Sequence, residues 1–210
     1  MRVVRLLIPF LLWAAVFPAL AQDHSHDHHG PAYTPIKPAL PTSSGDKIEV
    51  AEIFWYGCSH CFSFEPHVKS WLETKPEDVE FRLVPGVLNN RWAIHARGYF
   101  AADKMGALEQ FHTPLFNALH VKRRNIFTRA ALIDFAAEVG LDKKEFVRHY
   151  DSNETEVKMK QAFLMARDAK ITGVPAVIVN GKYLISAPSA GSHEGIIKTM
   201  DELIQQERSR

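Results

Sequence analysis

The chain's two cysteines, Cys58 and Cys61, stand three positions apart in Cys58-Ser59-His60-Cys61 and are the only ones among 210 residues. On one helical turn, two thiols so spaced come within bonding reach, so a reversible dithiol–disulfide couple is the chemistry this pair can do. The run Ile48–Tyr56 before them is apolar, β-branched and aromatic, as a buried strand would be. Gly57 allows a turn, and a helix is expected from about Cys58 to about Thr74. Cys58 would then sit at a helix N-terminus, where unpaired backbone N–H groups and the helix dipole favour an anion and depress a thiol's pKa. His60, between the cysteines, can add a charge or a donor near the Cys58 sulfur. A disulfide sulfur leaves faster as its pKa falls, and a stabilised reduced form makes the pair a stronger oxidant. The expected direction is therefore disulfide donation through Cys58, with Cys61 one turn deeper. The pair could also be half of a zinc site. Zinc usually wants four ligands, however, no second cysteine pair exists, and the histidine spacing gives no sign of a completed site.

Two further residues are candidates for the same site. Glu52 stands in an otherwise apolar strand six residues before Cys58. A carboxylate there would be costly to ionise and could transfer a proton near Cys61, or it could be a strand-end glutamate reaching solvent. Thr172-Gly173-Val174-Pro175 lies just before a returning strand, and proline at a strand start fits an edge position or a cis bond. Taken alone Pro175 is an ordinary turn proline; its place after the cysteine pair and just before a hairpin favours a functional one.

The elements that must position these residues follow from periodicity. Cys61, Phe64, Val68 and Trp71–Leu72 recur at three- and four-residue steps, with a kink expected at Pro66. A second strand is expected over Val79–Val84. The stretch from about Asn89 to Ala169 reads as helices over Trp92–Lys104, Ala107–His120, Ala130–Val139, Lys143–Tyr150 and Glu154–Ala169. Thr128 is the expected cap of the third, Gly140 its end, and Asp142/Glu145 and Asn153/Glu156 have capping-box spacing. Strands return over Ala176–Val179 and Lys182–Ile185 around the hairpin signal Asn180-Gly181, and a last helix covers about Ser192 to Glu207.

The N-terminus adds a compartment. Arg2 and Arg5, the apolar run Leu6–Leu20 and Ala19-Leu20-Ala21 form a secretory signal peptide pattern, residues 1–21, cleaved after Ala21. Residues 22–45, rich in histidine and then proline, read as a flexible leader. Export places the protein where disulfides persist, yet its one possible disulfide is too local to staple the fold, which argues for chemistry. His24, His26, His28 and His29 are weak metal-ligand candidates, most simply a solvated, metal-sticky linker. His67, His95, His112, His120, His149 and His193 are scattered and read as surface or packing residues. Lys122-Arg123-Arg124 reads as a solvated helix end.

With these residues in place the sequence resembles the DsbA family of periplasmic thiol:disulfide oxidoreductases. The resemblance is carried by Glu52-Ile53-Phe54-Trp55-Tyr56-Gly57-Cys58-Ser59-His60-Cys61, by Phe64-Glu65-Pro66, and by Thr172-Gly173-Val174-Pro175 with Val177–Gly181. It implies an α/β, thioredoxin-like fold, residues 46–88 and 170–210, with an inserted helical domain over 89–169. It implies Cys58 as surface nucleophile, Cys61 as buried partner and His60 as thiolate stabiliser. Pro175 would be a cis-proline, Val174 would offer backbone hydrogen bonds to a bound substrate strand, and Glu52 would be the family's buried acid. The implied partners are reduced, unfolded exported proteins and a quinone-linked membrane reoxidase of DsbB type. The implied state is a periplasmic monomer with no cofactor beyond the Cys58–Cys61 disulfide. Two features depart from the pattern: Ser59 stands where proline is common, and the histidine-rich leader is no family hallmark.

Composition agrees with a soluble catalyst. With signal removal the charge balance becomes 23 basic to 24 acidic residues, without the clustered basic excess of a nucleic-acid binder. A periplasmic reductase or isomerase is the alternative within the chemistry, although a 24-residue leader is short for a dimerisation domain. A metal-binding or metal-delivery protein using the leader is the alternative outside it.

Overall fold

The computed structural model describes residues 31–210. The expected signal peptide, residues 1–21, and His24, His26, His28 and His29 lie outside the described residues. A five-stranded sheet runs in the order β1-β5-β4-β2-β3. Its strands are β1 Thr34–Pro35, β2 Ile48–Phe54, β3 Val79–Pro85, β4 Ala176–Val179 and β5 Tyr183–Ser186. Only β2 and β3 are parallel, and the helix α1, Ser59–Thr74, crosses between them. The helices α2 Asn90–Lys104, α3 Leu108–His120, α4 Arg129–Glu138, α5 Lys143–Tyr150 and α6 Asn153–Asp168 all fall between β3 and β4. The short α7, Ala187–Ala190, and α8, His193–Arg208, close the chain. No described helix is long and apolar enough to cross a membrane.

Strand β2 is the hub because both its faces are buried, as its near-continuous apolar run predicts. On one face Val50 joins Phe64, Val68 and Trp71 of α1 and Ile196, Met200, Leu203 and Ile204 of α8. Ala51 and Ile53 point the other way and belong to the larger core shared with α2–α6. Helix α1 continues through Pro66 and buries Cys61, Phe64, Val68 and Trp71, the stripe read from the sequence.

The caps are local. Thr128 accepts from Ala131 N–H, Asp142 from Glu145 N–H and Ser192 from Gly195 N–H. The fifth helix of the central block differs from expectation: Ser152, not Asn153, is its cap, accepting from Thr155 N–H. Both residue types can cap, and the hydroxyl one position earlier takes the role. Asn180 and Gly181 have φ of 48° and 66°, the left-handed pair that a two-residue hairpin turn requires.

The leader expectation needs correction over residues 33–45. Thr34–Pro35 pair with β5, Ile36 N–H donates to Lys182 C=O at 2.7 Å, and Leu40 N–H to Gly181 C=O at 2.8 Å. Tyr33 packs edge-on to Tyr183 at 5.2 Å, and Ile36 is buried. The prolines that suggested an unstructured arm instead suit an edge strand, where a missing N–H costs no ladder bond.

Gly98 shows how tightly α2 meets its neighbours. A Cβ there would come within 2.6 Å of Leu132 Cδ2 and 3.1 Å of Phe111 Cζ, both side chains fully buried. Gly98→Val is expected to cost about 1–3 kcal/mol through overpacking, read as a lowered urea midpoint.

Candidate active site

Cys58 is the N-cap of α1, at the carboxyl end of β2, and its side chain makes no capping bond. Its own N–H donates to Trp55 C=O at 2.9 Å, and its carbonyl accepts from Phe62 N–H at 3.1 Å, which fixes the turn. Gly57 is required here: a Cβ would lie 2.4 Å from the Trp55 ring. That ring stacks on Trp92 at 4.8 Å and 9°. Both thiols are free, Cys58 half-buried and Cys61 0% exposed.

The two sulfurs titrate far apart. Cys58 is brought down to about 6, chiefly by the Cys61 thiol donating to it, against the opposing effect of burial. The N–H groups of Cys61 and His60 and the His60 charge help. At pH 7 such a thiol is about nine-tenths ionised, against about one part in a hundred at the ordinary value of 9.0. Cys61 moves strongly upward, first through burial, then through its bond to Cys58 and the charges of Cys58 and Glu52.

Across from the dithiol, the Val174–Pro175 bond is cis, and the Val174 carbonyl oxygen lies 3.3 Å from Cys58 Sγ. The structure thus brings Pro175, Val174, His60 and both cysteines together across 116 residues of sequence separation. A groove of about 710 Å³ opens beside them, its lining including Ile36, His60, Val174, Pro175, Leu184 and Pro188.

Residues 49–194 match the family described as the DSBA-like thioredoxin domain. The chain belongs to the DsbA family. It is 38% identical to the thiol:disulfide interchange protein DsbA of Azotobacter vinelandii, over 86% of this chain and 84% of that one. To the Pseudomonas aeruginosa DsbA it is 35% identical, over 97% and 96%. The crystal structure of P. aeruginosa DsbA superposes with a TM-score of 0.81 at 36% identity, covering 85% of this chain and 93% of that one. The oxidoreductase DsbA of Xylella fastidiosa gives 0.79 at 32%, covering 85% and 96%. The chain is accordingly a thiol:disulfide oxidoreductase with the DsbA fold.

Several acids and bases are buried around the dithiol. Glu52 is 0% exposed on β2, between Leu83 of β3 and Val177 of β4, so the strand-end alternative does not apply. Burial first and the Glu65 charge second hold its carboxyl well above the usual range, and neither oxygen has a hydrogen-bond partner. The sequence reading did not single out the residues of α3 that hold the approach to Cys58. His120 Nε2–H donates to Tyr56 C=O at 2.7 Å, and His112 Nδ1 lies 2.9 Å from the Tyr56 hydroxyl. The two histidines are eight residues apart on one helix, a spacing that places them on one face and was the available signal. His95 is a packing residue as expected: Nε2–H donates to Ile126 C=O at 2.7 Å, and burial lowers it to about 4. No group of three or more metal-ligating side chains forms among the described residues.

Proposed function

We propose that the chain donates the Cys58–Cys61 disulfide to reduced, unfolded exported proteins. The observation that carries this reading is the half-exposed Cys58 at the N-terminus of α1, facing the cis Val174–Pro175 bond, where the Cys61 thiol and the helix N–H groups bring its thiol down to about 6. A substrate thiolate attacks Cys58 Sγ of the oxidised pair. The substrate–Cys58 bond forms, the Cys58–Cys61 bond breaks, and Cys61 departs. A second substrate thiolate then attacks the substrate sulfur, and Cys58 leaves as the stabilised thiolate. The substrate is oxidised and the protein reduced by two electrons.

In this reading His60 stabilises the Cys58 thiolate, and Val174 with Pro175 aligns an extended substrate strand beside the half-apolar groove. Glu52 supplies the proton that Cys61, with its raised pKa, must take up when it leaves. The signal sequence supports a periplasmic location, where a quinone-linked membrane protein of DsbB type would restore the disulfide. The redox-active disulfide is the only prosthetic element the scheme calls for, and the chain works as a monomer. Residues 46–88 and 170–210, joined by the edge segment 33–45 that pairs with β5, form the thioredoxin-like domain and 89–169 the inserted one.

Oxidative refolding tests the assignment. The oxidised protein should restore activity to a reduced, unfolded disulfide enzyme stoichiometrically without glutathione. Refolding no faster than in air would overturn it.

A further inference from the structure

The groove beside the dithiol carries an uneven charge. Its walls are apolar at Ile36, Ile171, Ala176, Leu184 and Pro188. Its reactive end is marked by His60 and by Val174, whose carbonyl oxygen lies 3.3 Å from Cys58 Sγ. Besides His60, the ionisable side chains of the lining are Lys37, Asp168 and Lys170. Asp168 is already neutralised, because its carboxylate accepts from Arg167 Nε at 2.7 Å. The two lysines are exposed, and among the described residues neither belongs to the lysines that form ion pairs. The groove thus presents two uncompensated ammonium groups over an apolar surface.

The fold brings these cations to the groove from opposite sides. Lys37 follows Ile36, whose N–H donates to Lys182 C=O at 2.7 Å, so the pairing of β1 with β5 fixes its place. Lys170 follows α6 on the approach to β4. Its N–H donates to Arg167 C=O at 3.0 Å, and Ile171 N–H donates to Ala166 C=O at 2.9 Å. Strand β5 lies between β1 and β4 in the sheet, so a segment laid over it has one lysine to each side. Lys170 also has a φ of 57°, the left-handed conformation that glycine or asparagine takes at a helix end at lower cost. A lysine in that conformation, lining the groove beside Cys58, is the kind of backbone outlier that functional sites carry.

We propose that Lys37 and Lys170 are specificity-determining residues, which make the groove select extended substrate segments carrying aspartate or glutamate side chains near the reacting cysteine. The inference rests on, and deepens, the reading of the chain as a disulfide donor to unfolded polypeptides. An unfolded segment suits the groove because its apolar side chains cover Ile36 and Leu184 while its carboxylates reach the ammonium groups. Both lysines are exposed, so each pair contributes little alone and is screened by salt. Their effect is a faster encounter of acidic segments with Cys58, and discrimination against basic segments, in which like charges meet. The exchange itself is unchanged: the substrate thiolate attacks Cys58 Sγ and Cys61 departs.

The test uses the full-length oxidised protein and a set of two-cysteine peptides, acetylated and amidated, that differ only in bearing aspartate, asparagine or lysine beside the cysteines. Stopped flow gives the rate of each oxidation. Each rate is divided by that of the same peptide with a neutral small-molecule disulfide, which removes the effect of peptide charge on thiol reactivity. At low salt the aspartate peptide should react about fivefold faster than the asparagine peptide, and the lysine peptide more slowly than either. These differences should vanish in about 1 M salt, where the screening length is about 3 Å. Replacing both lysines, Lys37→Gln with Lys170→Gln, should bring the aspartate-to-asparagine ratio to about one. Lys37→Glu with Lys170→Glu should turn the preference to the lysine peptide, and neither pair of replacements should move the reduction potential. Equal rates for the three peptides with the unaltered protein overturn the proposal. So does an acidic preference that survives both pairs of replacements, because cations elsewhere would then be selecting. Failure of the underlying reading shows differently, as no oxidation of any of the peptides.

Discussion

Cys58→Ala abolishes disulfide donation, to the uncatalysed background, while Cys61→Ala accumulates a mixed disulfide between Cys58 and substrate. Both outcomes follow from exposure and acidity. Cys58 is the half-exposed sulfur and, with a pKa near 6, the one present as thiolate at neutral pH. Cys61 is 0% exposed, so no substrate thiolate reaches it directly. Without Cys58 the remaining sulfur, Cys61, is buried and has no partner with which to form a disulfide. Without Cys61 the Cys58 thiolate can still be captured by a substrate disulfide, but no internal thiol is present to release it. Non-reducing electrophoresis and intact mass of the adducts check both. Normal turnover by Cys58→Ala, or equal trapping by the two variants, would contradict the assignment.

The second large effect is a pH-dependent gap in stability between the redox forms. In the reduced protein Cys58 titrates near 6 when folded, against an ordinary thiol value of 9.0. Between those values the unfolded chain binds the proton that the folded one has released, so stability rises with pH. The contribution is complete above about pH 9 and is lost as pH falls through about 6. Cys61, displaced upward, affects only the range above its ordinary value of 9.0. The oxidised protein has neither thiol, and the cross-link's constraint on its unfolded chain does not vary over this range. The urea midpoint of the reduced form, relative to the oxidised, is therefore expected to be nearly flat at pH 5 and to climb from about pH 6 to pH 8. Parallel pH profiles for the two forms would show that Cys58 is not a stabilised thiolate.

Much of this site was readable because its signals are local. The strand–turn–helix around Cys58 and Cys61 needs only the apolar run Ile48–Tyr56, Gly57 and the stripe Cys61, Phe64, Val68, Trp71. The hairpin at Asn180-Gly181 and the helix Lys143–Tyr150 carry their own turn and capping chemistry, and β4 and α5 fall at the expected residues. What escaped depends on contacts distant in sequence. Residues 33–40 become ordered only because β5 offers an edge, and no pattern within that segment shows it. His112 and His120 read as packing residues until α3 meets the loop before Cys58, 56 and 64 residues away from their Tyr56 partner. Glu52 was ambiguous between burial and solvent until β3 and β4 enclosed β2 on both sides.

The most direct test of the central claim is the reduction potential of Cys58–Cys61 measured against glutathione from pH 5 to pH 8. The reference poles of the scale are thioredoxin at about −270 mV and the DsbA type at about −120 mV. A disulfide donor with a thiolate at Cys58 should lie toward the latter at pH 7. Its potential should fall by about 60 mV per pH unit while both thiols take up protons, and by about 30 mV per unit once only Cys61 does. The break should fall near pH 6, the Cys58 value. A potential near thioredoxin's, with a single slope of about 60 mV per unit through pH 8, would contradict the account and identify a reductase.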